Sequence, residues 1–151
     1  MNNKSLEIKV ALQIQKSAHE VFEAIVDSEK MSHYFISKSS GSMEEGKRIK
    51  WRFPEFDMAF PIRVGKIAQD KYISYYWEVD GKELLVEMTL TPWEGDGTVV
   101  TITEKEREND EAGLKWFMGN TEGWANFLAC LKAYLEYGIN LRKGAFDFLK
   151  K

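Results

Sequence analysis

The sequence predicts an α+β fold in which a curved antiparallel sheet of about six or seven strands grips one long C-terminal helix. Three observations predict it. Apolar and polar residues alternate between residues 6 and 14, and again in several runs up to residue 106, the period of a half-buried strand. Ser17 stands three residues before Glu20, the signature of a capped helix start. Trp124, Phe127, Leu128, Leu131 and Leu135 recur at helical spacing near the end of the chain.

Leu6, Ile8, Val10, Leu12 and Ile14 supply the buried face of the first strand. The helix capped by Ser17 carries Val21, Phe22 and Ile25, and a second short helical segment is expected near residues 29–35. Ile49, Trp51 and Phe53 then alternate with Lys50 and Arg52. Met58, Phe60, Ile62 and Val64 repeat that period, with Pro61 and Gly65 pointing to an edge or a bulge. Asp80-Gly81 is a two-residue hairpin turn. Pairing outward from it sets Trp77 opposite Leu84, Tyr75 opposite Val86 and Ile73 opposite Met88, with Ser74 opposite Glu87 on the other face.

A further strand runs near residues 98–106, after a Gly95-Asp96-Gly97 loop. A three-residue loop puts Val100 and Ile102 on the inner face and turns Glu104 toward Met88; a two-residue loop reverses this. The final helix is expected from about residue 120 to 141, a length of about 30 Å. Its apolar stripe needs cover, and the concave sheet face is the large apolar surface available.

The 151 residues suffice for one domain with its own core. Apolar residues make up 44% and charged residues 30%, a globular balance. The net charge of −3 predicts no general pull toward nucleic acid or anionic membrane. A single cysteine, Cys130, excludes an internal disulfide and fits a reducing compartment. No apolar run approaches the roughly 20 residues of a membrane span, and MNNKSLEIKV lacks a signal core. A cytoplasmic location is expected.

The stretch GSMEEGKR has the glycine and lysine spacing of a phosphate loop. However, KRIKWRF after it alternates as a strand, Arg48 replaces the magnesium-binding hydroxyl, and Glu44 and Glu45 repel phosphate. It reads as a solvated turn. His19-Glu20 followed by Glu23 lacks the second histidine of a zinc-protease helix, so no metal is expected. Cys130 has no histidine partner and reads as a packing residue. No nucleophile elbow or dinucleotide fingerprint is present, so neither catalytic residues nor a cofactor are assigned, and an enzyme is not favoured. Arg48, Lys50 and Arg52 share a strand face that reads as solvated.

The aromatic inventory points to a binding cavity between sheet and helix, since ligand pockets are mostly apolar. Trp51, Phe60, Trp77, Met88, Trp124, Phe127 and Leu131 are the expected wall, with Tyr34 and Phe35 near the mouth. Glu104 is the expected polar anchor, a carboxylate in an apolar setting.

KVALQIQKSAHEVFEAIVDSEKMSHYF resembles the opening strand and paired short helices of START-like (SRPBCC) domains. NTEGWANFLACLKAYLEYG resembles the long C-terminal helix of the branch named after the activator of Hsp90 ATPase. The resemblance implies a single START-like domain over residues 1–151, with a helix-grip fold and an apolar cavity. It implies a small apolar partner, lipid or polyketide-like. The alternatives it implies are a stress-related modulator of a chaperone ATPase, acting by protein contact, and an enzyme of the polyketide cyclase/hydrolase type. A homodimer through an exposed aromatic patch is a further expectation.

Overall fold

Seven strands form one antiparallel sheet in the computed structural model, which describes residues 5–150. The chain runs β1 (Ser5–Ile14), α1 (Ala18–Val26), α2 (Ser28–Met31), β2 (Lys38–Ser39), β3 (Arg48–Arg52), β4 (Ala59–Ala68), β5 (Tyr72–Val79), β6 (Lys82–Trp93), β7 (Gly97–Glu108) and α3 (Glu111–Tyr137). A short 3-10 turn follows at Asp147–Leu149. In space the strands lie in the order β1-β7-β6-β5-β4-β3-β2, so the first strand pairs with the last. This is the helix-grip arrangement expected from the residue pattern.

Local chemistry accounts for the elements. The Glu20 N–H donates to Ser17 Oγ at 3.2 Å and starts α1. Asp80 and Gly81 both hold positive φ, 51° and 80°, as a two-residue turn matched to strand twist requires. The register that follows is the expected one, with Trp77 opposite Leu84, Tyr75 opposite Val86 and Ile73 opposite Met88. The GSMEEGKR stretch is a turn, with Lys47 paired to Glu44 at 3.1 Å and β3 directly after it. The pairing of β4 with β5 shifts between Val64 and Ile67, a bulge at Gly65. Pro61 does not mark an edge, since β4 lies between β3 and β5. The β4–β5 ladder begins at Arg63, so the missing Pro61 N–H falls beyond it.

Two expectations need correction. The loop between β6 and β7 is Glu94-Gly95-Asp96, with Trp93 opposite Gly97. It has three residues, so Val100, Ile102 and Glu104 do face inward. It sits one residue earlier than expected, which places Glu104 opposite Val86 and gives Met88 to Ile102. The long helix also starts earlier, at Glu111 instead of about residue 120, and stops at Tyr137 instead of 141. Asp110 caps it, accepting from the Gly113 N–H at 2.7 Å. A Cβ at Gly113 would fall 1.9 Å from the Glu108 carbonyl oxygen, so this sharp entry from β7 demands glycine. Gly138, at φ 64°, ends the helix in the left-handed conformation.

The core lies between the sheet and α3, with Ile8, Ile73, Val86, Met88 and Ile102 facing Trp124, Phe127, Leu128 and Leu131. Each such burial contributes about 1.5–3 kcal/mol, which makes the docked helix a main source of stability. The far end of α3 is tied to β1. Lys132 Nζ donates to the Gln13 carbonyl at 2.9 Å, and the Gln15 N–H donates to Glu136 at 2.8 Å. Among the described residues no helix is long and apolar enough to cross a membrane.

Candidate functional site

The inward parity of β7 puts the Glu104 carboxylate at 0% exposure beneath the first half of α3. Four N–H groups converge on it. Trp124 Nε1 and Asn120 Nδ2 donate to Oε1 at 2.7 and 3.1 Å. Trp77 Nε1 and Trp116 Nε1 donate to Oε2 at 3.0 and 3.4 Å. Trp116, Asn120 and Trp124 are spaced four apart, so they form one row along α3. Trp77 comes from β5. The set contains donors alone, which matches an ionised carboxylate, an acceptor at both oxygens. Charge-assisted bonds of this kind offset part of the cost of burying a charge. No lysine or arginine among the described residues hydrogen-bonds to Glu104. Arg107 lies over the Trp116 ring at 5.9 Å but is paired with Asp80 at 3.0 Å.

Tyr75 packs beside this cluster, 5.3 Å from the Trp77 ring and 5.1 Å from Trp51. Its hydroxyl is buried and has no hydrogen-bond partner among the described residues. Burial, then the Glu104 charge, then Tyr34 push its pKa well above the usual tyrosine value. Tyr34 is raised too, by burial and then by Tyr134, while its hydroxyl donates to the Ala24 carbonyl at 2.9 Å.

Open space lies along the flank of α3, not beneath it. A small cavity of 120 Å³ is bordered by Phe35, Trp77, Asn120, Gly123 and Trp124. A larger one of 330 Å³ shares Phe35, Asn120 and Gly123 and continues past Tyr34, Phe127 and Cys130. Together they make a groove whose smaller end lies beside the Glu104 donors. Its outer side is closed by the segment after α3. There the Arg142 guanidinium makes two hydrogen bonds to Glu55, at 3.0 and 2.8 Å, and lies over Phe53 and Phe146. Two wider depressions, of 600 and 620 Å³, lie near Asn140 and Lys143 and near Arg48, Lys50 and Arg63.

Of the residues expected to form the cavity, Tyr34, Phe35, Trp77, Trp124 and Phe127 border the groove. Trp51, Met88 and Leu131 do not. At 1%, 1% and 0% exposure they fill the interior where a hollow was expected. Phe60 packs on Phe53 at 5.5 Å and on Phe56 at 6.0 Å, and does not itself border the groove. Glu104 lies behind the indoles and the Asn120 amide, and does not itself border either cavity. Trp116, Asn120, Asn126, Cys130 and the Glu55–Arg142 pair were not anticipated. A helix read from Asp110 would have shown Trp116, Asn120 and Trp124 as a single row.

Comparison with known proteins follows from this geometry. A family model described as activator of Hsp90 ATPase homolog 1-like protein matches residues 15–136. The protein SSP2350 from Staphylococcus saprophyticus superposes with a TM-score of 0.77 at 35% identity, over 89% of this chain and 94% of its own. The Aha1 dimer from Colwellia psychrerythraea gives a TM-score of 0.75 at 20% identity, over 88% of this chain and 98% of its own. DynU16, a protein of the dynemicin biosynthetic locus, gives 0.78 at 24% identity, over 89% of this chain and 48% of its own. The last two likenesses show the fold. No functionally curated protein matches the sequence.

Proposed function

This chain belongs to the activator of Hsp90 ATPase homolog 1-like family, and from that premise we propose that it is a small-molecule-binding protein whose site is the groove on the flank of α3. The supporting observation is the 330 Å³ cavity walled by Tyr34, Phe35 and Phe127, a size and an apolar lining suited to a small ligand. The packed interior moves this reading from beneath the helix to its side. Glu104 supports binding over catalysis. Both its oxygens are engaged by protein donors, and it is separated from the groove by Trp77, Asn120 and Trp124.

The test is titration with N-phenyl-1-naphthylamine, a neutral apolar fluorophore, following energy transfer from the groove tryptophans. Saturable binding is expected, weakened by Gly123→Leu. A Cβ at Gly123 meets nothing within 4 Å, so the new side chain enters the groove without disturbing the core. Absence of saturation in the unmodified protein would remove the proposal.

A second reading, contact with a chaperone ATPase or a second copy, draws on the family description and the dimeric Colwellia protein. The exposed Phe56 and Leu149 beside the groove favour it, since they offer apolar surface to a partner. Measuring Hsp90 hydrolysis with and without the protein tests the chaperone contact, and native mass spectrometry tests the dimer. An unaltered rate and a monomeric mass would eliminate both.

A further inference from the structure

We propose that the smaller end of the groove, beside the Glu104 donors, is a cation subsite, taking the ammonium head of an apolar amine or quaternary ammonium compound whose tail lies in the larger cavity. The inference rests on the groove-binding reading and names the chemistry of its ligand.

Three aromatic rings border the 120 Å³ cavity. Trp124 lies 5.7 Å from Trp77 and 6.1 Å from Phe35, with the ring planes tilted by 34° and 37°. Ring faces carry the negative side of the aromatic quadrupole and attract cations. Tryptophan does so most strongly, and both indoles here are further polarised. Their N–H groups point at the Glu104 carboxylate, at 3.0 and 2.7 Å, which shifts electron density into the rings.

The charge balance has the same sign. Glu104 is fully buried, and its hydrogen-bond partners are three indoles and an amide, all neutral. Of the cations near by, Arg107 is matched to Asp80 and Arg142 to Glu55, and Lys115, which borders a separate depression with Trp116 and Asn120, is exposed to solvent. The inner end of the groove therefore lies beside a buried carboxylate to which neutral donors are bonded and no cation is. A volume of 120 Å³ has room for a compact group such as a methylated ammonium. Phe35, Asn120 and Gly123 belong to both cavities, so a tail leaving that head passes directly between Tyr34 and Phe127.

The test compares three ligands with one tail, decyltrimethylammonium, 1-decanol and decanoate, by calorimetric titration below micelle-forming concentration. The cation is expected to bind about tenfold more tightly than the alcohol, with decanoate weakest. Phe35→Leu keeps an apolar side chain but removes a ring face. Read as the ratio of the two affinities within that variant, it should bring the cation to within about threefold of the alcohol. Glu104→Gln, where it folds, should narrow the same gap. Equal affinity for the three ligands, tightest binding of decanoate, or a preference untouched by Phe35→Leu would overturn the subsite while leaving the groove. Failure of all three ligands to bind would overturn the groove as well.

Discussion

The Trp124 indole N–H meets Glu104 Oε1 at 2.7 Å and so fastens α3 to β7 inside the protein. The contact does two jobs at once. It satisfies a buried charge without a cation, and it holds Trp124 beside Trp77 at the inner end of the groove. Site and scaffold therefore share one set of hydrogen bonds, and a change at Glu104 must be read in stability before it is read in binding.

Glu104→Gln preserves the side-chain shape but replaces one acceptor oxygen with an NH₂ that faces N–H donors. The expected loss is about 2–4 kcal/mol of unfolding free energy, from donors left unpaired in the interior. Urea denaturation followed by tryptophan emission measures it. A loss below about 0.5 kcal/mol would mean that the four donors are not bound to an anion as described.

The Glu55–Arg142 pair holds the segment after α3 against the groove, with the Glu55 side chain 3% and the Arg142 side chain 15% exposed. Removing either partner leaves the other half-buried and unmatched. A double-mutant cycle with Glu55→Gln and Arg142→Gln should give a coupling of about 1–3 kcal/mol. Proteolysis within residues 139–150 should quicken in both single variants. Zero coupling with unchanged cleavage would show that Phe146 and Leu149 hold the segment without the ion pair.

How much of this was legible in the sequence depends on the kind of constraint. The hairpin of β5 and β6 was readable because Asp80-Gly81 fixes both turn type and parity, and a one-residue slip would expose Tyr75, Val86 and Met88. The direction of Glu104 was left open, because the sequence allows a loop of two or three residues and the three-residue one alone turns it inward; its partner was missed because a shift of the loop by one residue preserves parity. The start of α3 was hidden by Gly113, Gly119 and Gly123, which lower helix propensity across its first half. With it was lost Trp116, one of the carboxylate's four donors. The hollow beneath the helix was misplaced for a different reason. Periodicity tells which side chains face inward, whereas whether they fill the space depends on volumes and angles that no repeat encodes.

Acid sensitivity should come in part from Glu136. Burial pushes its carboxyl upward, but the Gln15 N–H and the Lys132 ammonium outweigh this and hold it below the usual range. A depressed folded-state value contributes stability that is complete above about pH 5 and is lost as the pH falls through that value. Stability measured from about pH 5.5 down to 3 should fall more steeply in the unmodified protein than in Glu136→Gln. Identical slopes would show that the tie between α3 and the end of β1 does not depend on this charge.

Alkaline sensitivity should come from Tyr75 and Tyr34, whose folded-state values are raised well above the usual one, chiefly by burial. A raised value means that the unfolded chain ionises first, at about pH 10, while the folded protein keeps both hydroxyls neutral. Their contribution is therefore intact below about pH 10 and is lost progressively above it. In a tyrosinate absorbance titration, Tyr34 and Tyr75 should appear together with unfolding. Tyr75→Phe gives the sharper test. Its hydroxyl has no partner, so removing it should cost less than about 0.5 kcal/mol at neutral pH and should shift the alkaline transition upward. A cost near 2 kcal/mol instead would mean that the hydroxyl is hydrogen-bonded in solution, by water or by Glu104 itself.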